Sequence, residues 1–187
     1  MNVSDAINSR RSIKRFAARP VTKQEIETLL DAAALAPNHH LTQPWRFYVL
    51  GPDARYAYGL ALGDRKARKM EDAVAAQAVR TKVADEHRAL PAMIAVAVVV
   101  NNDNAEIREE DYAAVMMGIQ NLSLTAVSLG LGTHLKTGAV MSDPVARAAA
   151  GVAEGERIVA IINVGEPLEA PAPRPRRSAG ELTVWLP

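Results

Sequence analysis

The densest chemistry in the chain lies near its start, in Arg10-Arg11-Ser12-Ile13-Lys14-Arg15. Four cationic side chains and one hydroxyl fall within six residues of a chain that is otherwise nearly charge-balanced, with 22 Lys+Arg against 21 Asp+Glu. That mixture suits a phosphate ester. Guanidinium groups donate forked, charge-assisted hydrogen bonds, and a serine hydroxyl adds a short neutral one. Each charge-assisted bond is worth about 1.5–3 kcal/mol net, so two or three hold a phosphorylated molecule by its tail. Taken alone, a short basic run more often marks a solvated turn.

A second polar stretch, Ala36-Pro37-Asn38-His39-His40-Leu41-Thr42-Gln43-Pro44-Trp45, contains two adjacent histidines between two prolines. The spaced carboxylates that a zinc site needs are missing from its vicinity in the sequence, so no metal is expected there. Gly130-Leu131-Gly132 imitates a dinucleotide fingerprint, but the third glycine position holds Leu135 and the pair follows a helix, so a helix-ending turn is the better reading. There is no phosphate loop of the G-x-x-x-x-G-K-[ST] type and no G-x-S-x-G elbow.

The elements that carry these stretches read as follows. A short helix over Val3–Ile7, with Ser4 at its N-cap, delivers the basic run. Thr22 and Glu25 form a capping box, with Val21 and Ile26 as its hydrophobic staple, opening a helix whose apolar face is Ile26, Leu29, Leu30 and Ala33. Arg46–Leu50 is a strand stopped by Gly51-Pro52. Residues 53–90 form a peripheral helical excursion. Ala92–Val100 has no polar member and reads as a strand covered on both faces. The helix from Glu109 to Leu129 is apolar over more of its girth than one small subunit can cover. Thr133–Thr137 is a short strand, Asp143-Pro144 opens another helix, and Arg157–Gly165 is a second buried strand. Residues 167–187 form an extended arm, rich in proline, whose apolar end at Leu182–Leu186 reads as a short strand that must seek another surface.

Composition narrows the class. The 187 residues, 49% hydrophobic, suit a single domain or a subunit that completes its core by pairing. A net charge of +1 and 4% aromatics give neither a field nor stacking platforms for nucleic acid. Without cysteine there is no disulfide, thiolate catalysis or cysteine metal site, so redox chemistry needs a bound cofactor. No apolar stretch reaches the roughly 20 residues of a membrane span, and no secretory leader pattern opens the chain. A soluble cytoplasmic protein is the expectation.

Arg10-Arg11-Ser12-Ile13-Lys14-Arg15-Phe16, followed by Ala36-Pro37 through Gln43-Pro44-Trp45, resembles the FMN-dependent nitroreductase family, and specifically its small-nitroreductase subgroup. Gln120-Asn121, the Leu129–Gly132 turn and the strand that ends in Val164-Gly165-Glu166-Pro167 are similar to later family motifs. Many members carry asparagine where this chain has Leu41, and the subgroup often has arginine where Lys136 stands.

The resemblance implies an α+β fold, a single domain over 1–187 with a mixed sheet flanked by helices, in an intertwined homodimer with FMN at the subunit interface. It implies that Arg10 and Ser12 take the phosphate. Arg11 and Lys14 would reach the phosphate, ribityl oxygens or flavin ring edge. Leu135, Lys136 and Thr137 would close from the other side, with Arg177 in the tail as a further contact. Leu35 and His39 would approach the partner's flavin. NADH or NADPH would supply electrons for a nitroaromatic, quinone or similar acceptor, the flavin rather than a side chain carrying the chemistry. A flavin-binding or flavin-processing protein without reductase activity is the alternative. In the basic run, backbone alternation predicts that Arg15 points away from the phosphate.

Overall fold

The computed structural model describes residues 1–187, and its frame is a four-stranded sheet in the order β1-β2-β4-β3. The strands are β1 (Trp45–Val49), β2 (Ala92–Val99), β3 (Gly132–Lys136) and β4 (Glu156–Gly165). All three pairings are antiparallel, with Phe47 opposite Val96, Ile94 opposite Ile162 and Leu135 opposite Ile162. The parallel component expected of a mixed sheet is a single bridge between Ser12 and Thr133. Between Val96 and Ala97 the register shifts, so that β4 carries one extra residue, Val159.

Alternation along β2 divides the core. Ala92, Ile94, Val96 and Val98 face one way, into a cluster with Ile26, Leu29 and Ala33 of α2 (Lys23–Ala34) and Val115, Ile119, Leu122 and Ala126 of α5 (Ala105–Ser128). Met93 and Ala95 face the other way, onto Tyr58 and Ala61 of α3 (Pro52–Ala67) and Ala146 of α6 (Pro144–Ala149). Seven of the eight β2 residues are buried, as a strand covered on both faces requires. The stretch expected to be peripheral thus splits into α3, which helps cover the second face, and α4 (Ala73–Arg88), packed on α3. The two helices approach so closely that a Cβ at Gly59 would lie 2.7 Å from Ala84 Cα.

Local signals carry several boundaries. The Thr22–Glu25 capping box forms in both directions. Asp143 caps α6 by accepting from Val145 and Ala146 N–H. Gly130, at φ +74°, ends α5, and Leu131 N–H donates to Ala126 O. At the first helix, α1 (Val3–Ser9), the cap is Asn2 rather than Ser4, because Asn2 with Asp5 makes a reciprocal capping box two residues earlier. The tail also departs from expectation. Ser178 caps a single turn, α7 (Ala179–Leu182), and residues 183–187 pair with no strand of this chain. Trp185 is left 89% exposed and Leu186 85%. No helix is long and apolar enough to cross a membrane.

Candidate functional site: a cationic groove beside a helix-lined cavity

After α1 the chain runs extended over residues 10–17, held from both sides. Ile13 N–H donates to Thr133 O at 2.9 Å, and Ala17 N–H donates to Glu166 O at 2.9 Å. Ile13 is the inward residue, 3% exposed, and its side chain occupies the space where Gly132 would carry a Cβ. The second glycine of Gly130-Leu131-Gly132 therefore exists for this close approach, while the first caps the helix.

Turning Ile13 inward sends Arg10, Ser12 and Lys14 outward. They line a groove of about 910 Å³ whose far wall is the proline-rich arm. Its charged lining is Arg10, Arg11, Lys14, Arg15, Arg174 and Arg176 against one carboxylate, Glu169. Arg15 Nη1 lies 3.5 Å from that carboxylate, in a solvent-exposed pair. Arg11 donates to the carbonyls of Asn8 and Arg10. Arg15 therefore shares the groove, which is wide enough to collect both sides of the extended run. The alternation expected for Arg15 is incomplete for that reason.

Arg10 and Ser12 also line a smaller cavity of about 220 Å³. Met116, Ile119, Gln120 and Ser123 reach it from α5, at the i, i+3, i+4, i+7 spacing of one helix face. Thr133 and Leu135 reach it from β3, two residues apart and so on one face of the strand. Met116, Gln120, Ser123 and Thr133 were not expected here as site residues. Gln120 stands in the Gln120-Asn121 motif, the helical spacing of the α5 positions is the signal for Met116 and Ser123, and strand alternation with Leu135 is the signal for Thr133.

The other expected residues divide between two places. Leu135 joins Arg10 and Ser12 at the cavity. Lys136 lies on the opposite face of β3. Burial lowers its ammonium pKa, Lys66 lowers it further, and Glu86 opposes them. Thr137 is exposed just beyond the strand. Arg177 is exposed on the arm but does not line the groove, whereas Arg174 and Arg176 do. Leu35, 82% exposed, caps α2, and His39 stands beside Glu110 in the second turn of α5. Glu110 and Gln120 are ten residues apart on one helix, about 15 Å along its axis. Within one chain neither Leu35 nor His39 lines the groove or the cavity.

The residues present fit a phosphorylated, partly apolar cofactor. Arginines outnumber acids at the groove, a hydroxyl stands among them, and the adjoining cavity mixes Met116, Ile119 and Leu135 with the Gln120 amide. Polar atoms for a charged tail border an apolar slot for a ring. Fold and site together define an α+β protein with a cationic groove opening beside a helix-lined cavity.

The comparisons with known proteins agree. The description "Nitroreductase family" matches residues 7–166, and the chain belongs to that family. It is 33% identical over 172 residues, 92% of this chain and 88% of the other, to the Bacillus subtilis (strain 168) protein named "Putative NAD(P)H nitroreductase YfhC". A nitroreductase-like family protein from Bacillus cereus superposes with a TM-score of 0.84 at 28% identity, covering 100% of this chain and 96% of that one. A protein of the same fold from Desulfovibrio desulfuricans, solved in complex with FMN, gives 0.74 at 25% identity, covering 100% and 98%.

Proposed function

We propose that the chain is an FMN-dependent, NAD(P)H-driven oxidoreductase acting on nitroaromatic, quinone or similar acceptors, as a homodimer with the cofactor at the subunit interface. The observation that carries the reading is the groove of six cations and one carboxylate opening onto the Arg10–Ser12–Gln120 cavity. Family membership and the FMN complex of a relative support it.

FMN, when bound, would supply the redox chemistry, with N5 as the position through which electrons pass from NAD(P)H to the acceptor. The chain binds and orients. Arg10 and Ser12 hold the phosphate with charge-assisted and hydroxyl hydrogen bonds. Arg11 and Lys14 add positive charge along the polar edge, where it favours the reduced anionic ring. Leu135, Met116 and Ile119 give the ring an apolar wall, and Gln120 gives it an amide partner. Lys136, Thr137 and Arg177, which line neither the groove nor the cavity in one chain, would add to the site only in the assembled dimer. Leu35 and His39, which do not line the groove in one chain, would serve the partner's cofactor. The exposed Ile7, Tyr112, Met117, Val184 and Trp185 are the apolar surface that such a dimer would cover.

The test is the visible spectrum of the purified protein, followed by anaerobic NADH or NADPH. Flavin bands that bleach are expected. A colourless protein that takes up no FMN overturns the reading. A bound flavin that neither nucleotide reduces favours the flavin-binding alternative. Sedimentation equilibrium tests the assembly, with twice the chain mass of 20.1 kDa expected.

A further inference from the structure

The two adjacent histidines lack a nearby carboxylate in the sequence, but the fold supplies one. His39 Nδ1 lies 3.2 Å from both carboxylate oxygens of Glu110, and His40 Nε2 lies 3.1 Å from Oε2. The two imidazoles lie beside each other, 4.2 Å between centroids and tilted by 34°. All three potential ligand atoms fall within 4.8 Å of one another. Bonds of about 2.0–2.1 Å to a tetrahedral Zn²⁺ put its ligand atoms about 3.3 Å apart. The trio is therefore near the spacing an ion would impose, and small side-chain rotations suffice to admit one.

The loop that presents the histidines is held rather than loose. Asn38 Oδ1 accepts the Gln43 N–H at 2.7 Å, Asn38 Nδ2 donates to Thr42 Oγ1, and Thr42 Oγ1 donates to Asp111. Asp111 is 4% exposed and neighbours Glu110, so the same turn of α5 anchors the loop and supplies the carboxylate. Leu41 and Gln43 take left-handed backbone angles, φ 51° and 46°, which bend the chain so that both rings meet the helix. Strain of that kind persists only where surrounding contacts over-determine it.

We infer that His39, His40 and Glu110 form a site for a borderline divalent transition metal such as Zn²⁺, bound by two imidazole nitrogens and one carboxylate oxygen with a position left for water. Two nitrogen ligands favour Zn²⁺, Ni²⁺ or Cu²⁺ over Mg²⁺ or Ca²⁺, which demand oxygen. The side chains are 71%, 44% and 41% exposed in that order, so the ion enters directly from solvent. His40 and Glu110 have no part in the flavin reading, whereas His39 is shared with it, and Zn²⁺ binding is read without reference to flavin.

Calorimetric titration of the full-length protein with ZnCl₂, and separately with MgCl₂, tests it. Saturable binding of about one Zn²⁺ per chain is expected, with no Mg²⁺ binding in the same range. His39→Ala, His40→Ala and Glu110→Gln should each weaken Zn²⁺ about tenfold or more. No saturable Zn²⁺ heat, or affinity unchanged in all three variants, overturns the site and leaves the trio as a loop-to-helix clamp. A second readout serves if a variant fails to fold. Zn²⁺ should raise the wild-type melting temperature at pH 7.5, and excess EDTA should abolish the rise. A melting temperature indifferent to Zn²⁺ at pH 7.5 overturns it equally.

Discussion

Two parts of the molecule are equally rich in arginine and lysine, and they use them differently. On α3 and α4 four of the six Arg and Lys side chains have a carboxylate partner. Arg80 Nε lies 2.6 Å from Asp64, and Arg88 reaches Asp53 at 2.6 Å while stacking over the Tyr56 ring at 4.8 Å. Arg65 approaches Asp143, and Lys82 approaches Glu86. In the groove only Arg15 has a carboxylate within 4.0 Å, and Arg10, Arg11, Lys14, Arg174 and Arg176 have none. Both regions face solvent, so burial does not distinguish them. What distinguishes a binding surface here is cations gathered without anions of their own, since an incoming phosphate then displaces no internal partner.

The sharpest way to break this contrast is to exchange one cation from each region. Arg10→Ala should weaken FMN binding roughly ten- to a hundred-fold, the equivalent of about 1.5–3 kcal/mol, and leave riboflavin binding almost unchanged. Flavin titration with both ligands reads it, and equal losses would mean that Arg10 supports the fold rather than the phosphate. Gly132→Ala should come next. Its Cβ would overlap Ile13 and lie 3.1 Å from Pro167 Cγ, so the whole basic run must shift. A stability loss of about 1–3 kcal/mol is expected with a parallel loss of FMN, and a denaturant midpoint equal to wild type would refute it.

The second face of the sheet predicts a pH effect that the groove does not. Burial lowers the imidazole pKa of His87, which is 6% exposed, and its Nε2 has no hydrogen-bond partner. The folded state thus binds fewer protons there than the unfolded one. Its contribution is present above the ordinary imidazole value of about 6.5 and is lost as pH falls below it. Melting temperature should drop between pH 7.5 and 5.5 in the absence of metal ions, and a flat profile would contradict this. Leu41→Asn is expected to act in the opposite sense. A left-handed residue with a Cβ costs about 1–2 kcal/mol, which asparagine largely escapes, so thermal melts should rise by roughly 2–4 °C. The smallest effect is Arg80→Ala. An exposed pair is worth about 0.2–1 kcal/mol, and FMN affinity should not move at all.

Interactions that close within a few residues were legible in the sequence. The Thr22–Glu25 box, the Asp143-Pro144 start, the end of α5 at Gly130 and the doubly covered β2 all depend on neighbours along the chain. The basic run was equally plain, because charge and hydroxyl are properties of residue type. Tertiary structure decided everything that depends on which face meets which. It put Gln120 and Ser123 of α5 across from Arg10 and turned Lys136 toward Lys66 and Glu86. It drew Arg15 into the groove beside Glu169 and set Glu110 against His39, 71 residues earlier, and its neighbour His40. Periodicity says that a helix or strand has an apolar face, but the partner of its polar face depends on how whole elements pack, a long-range matter that spacing along one segment does not carry.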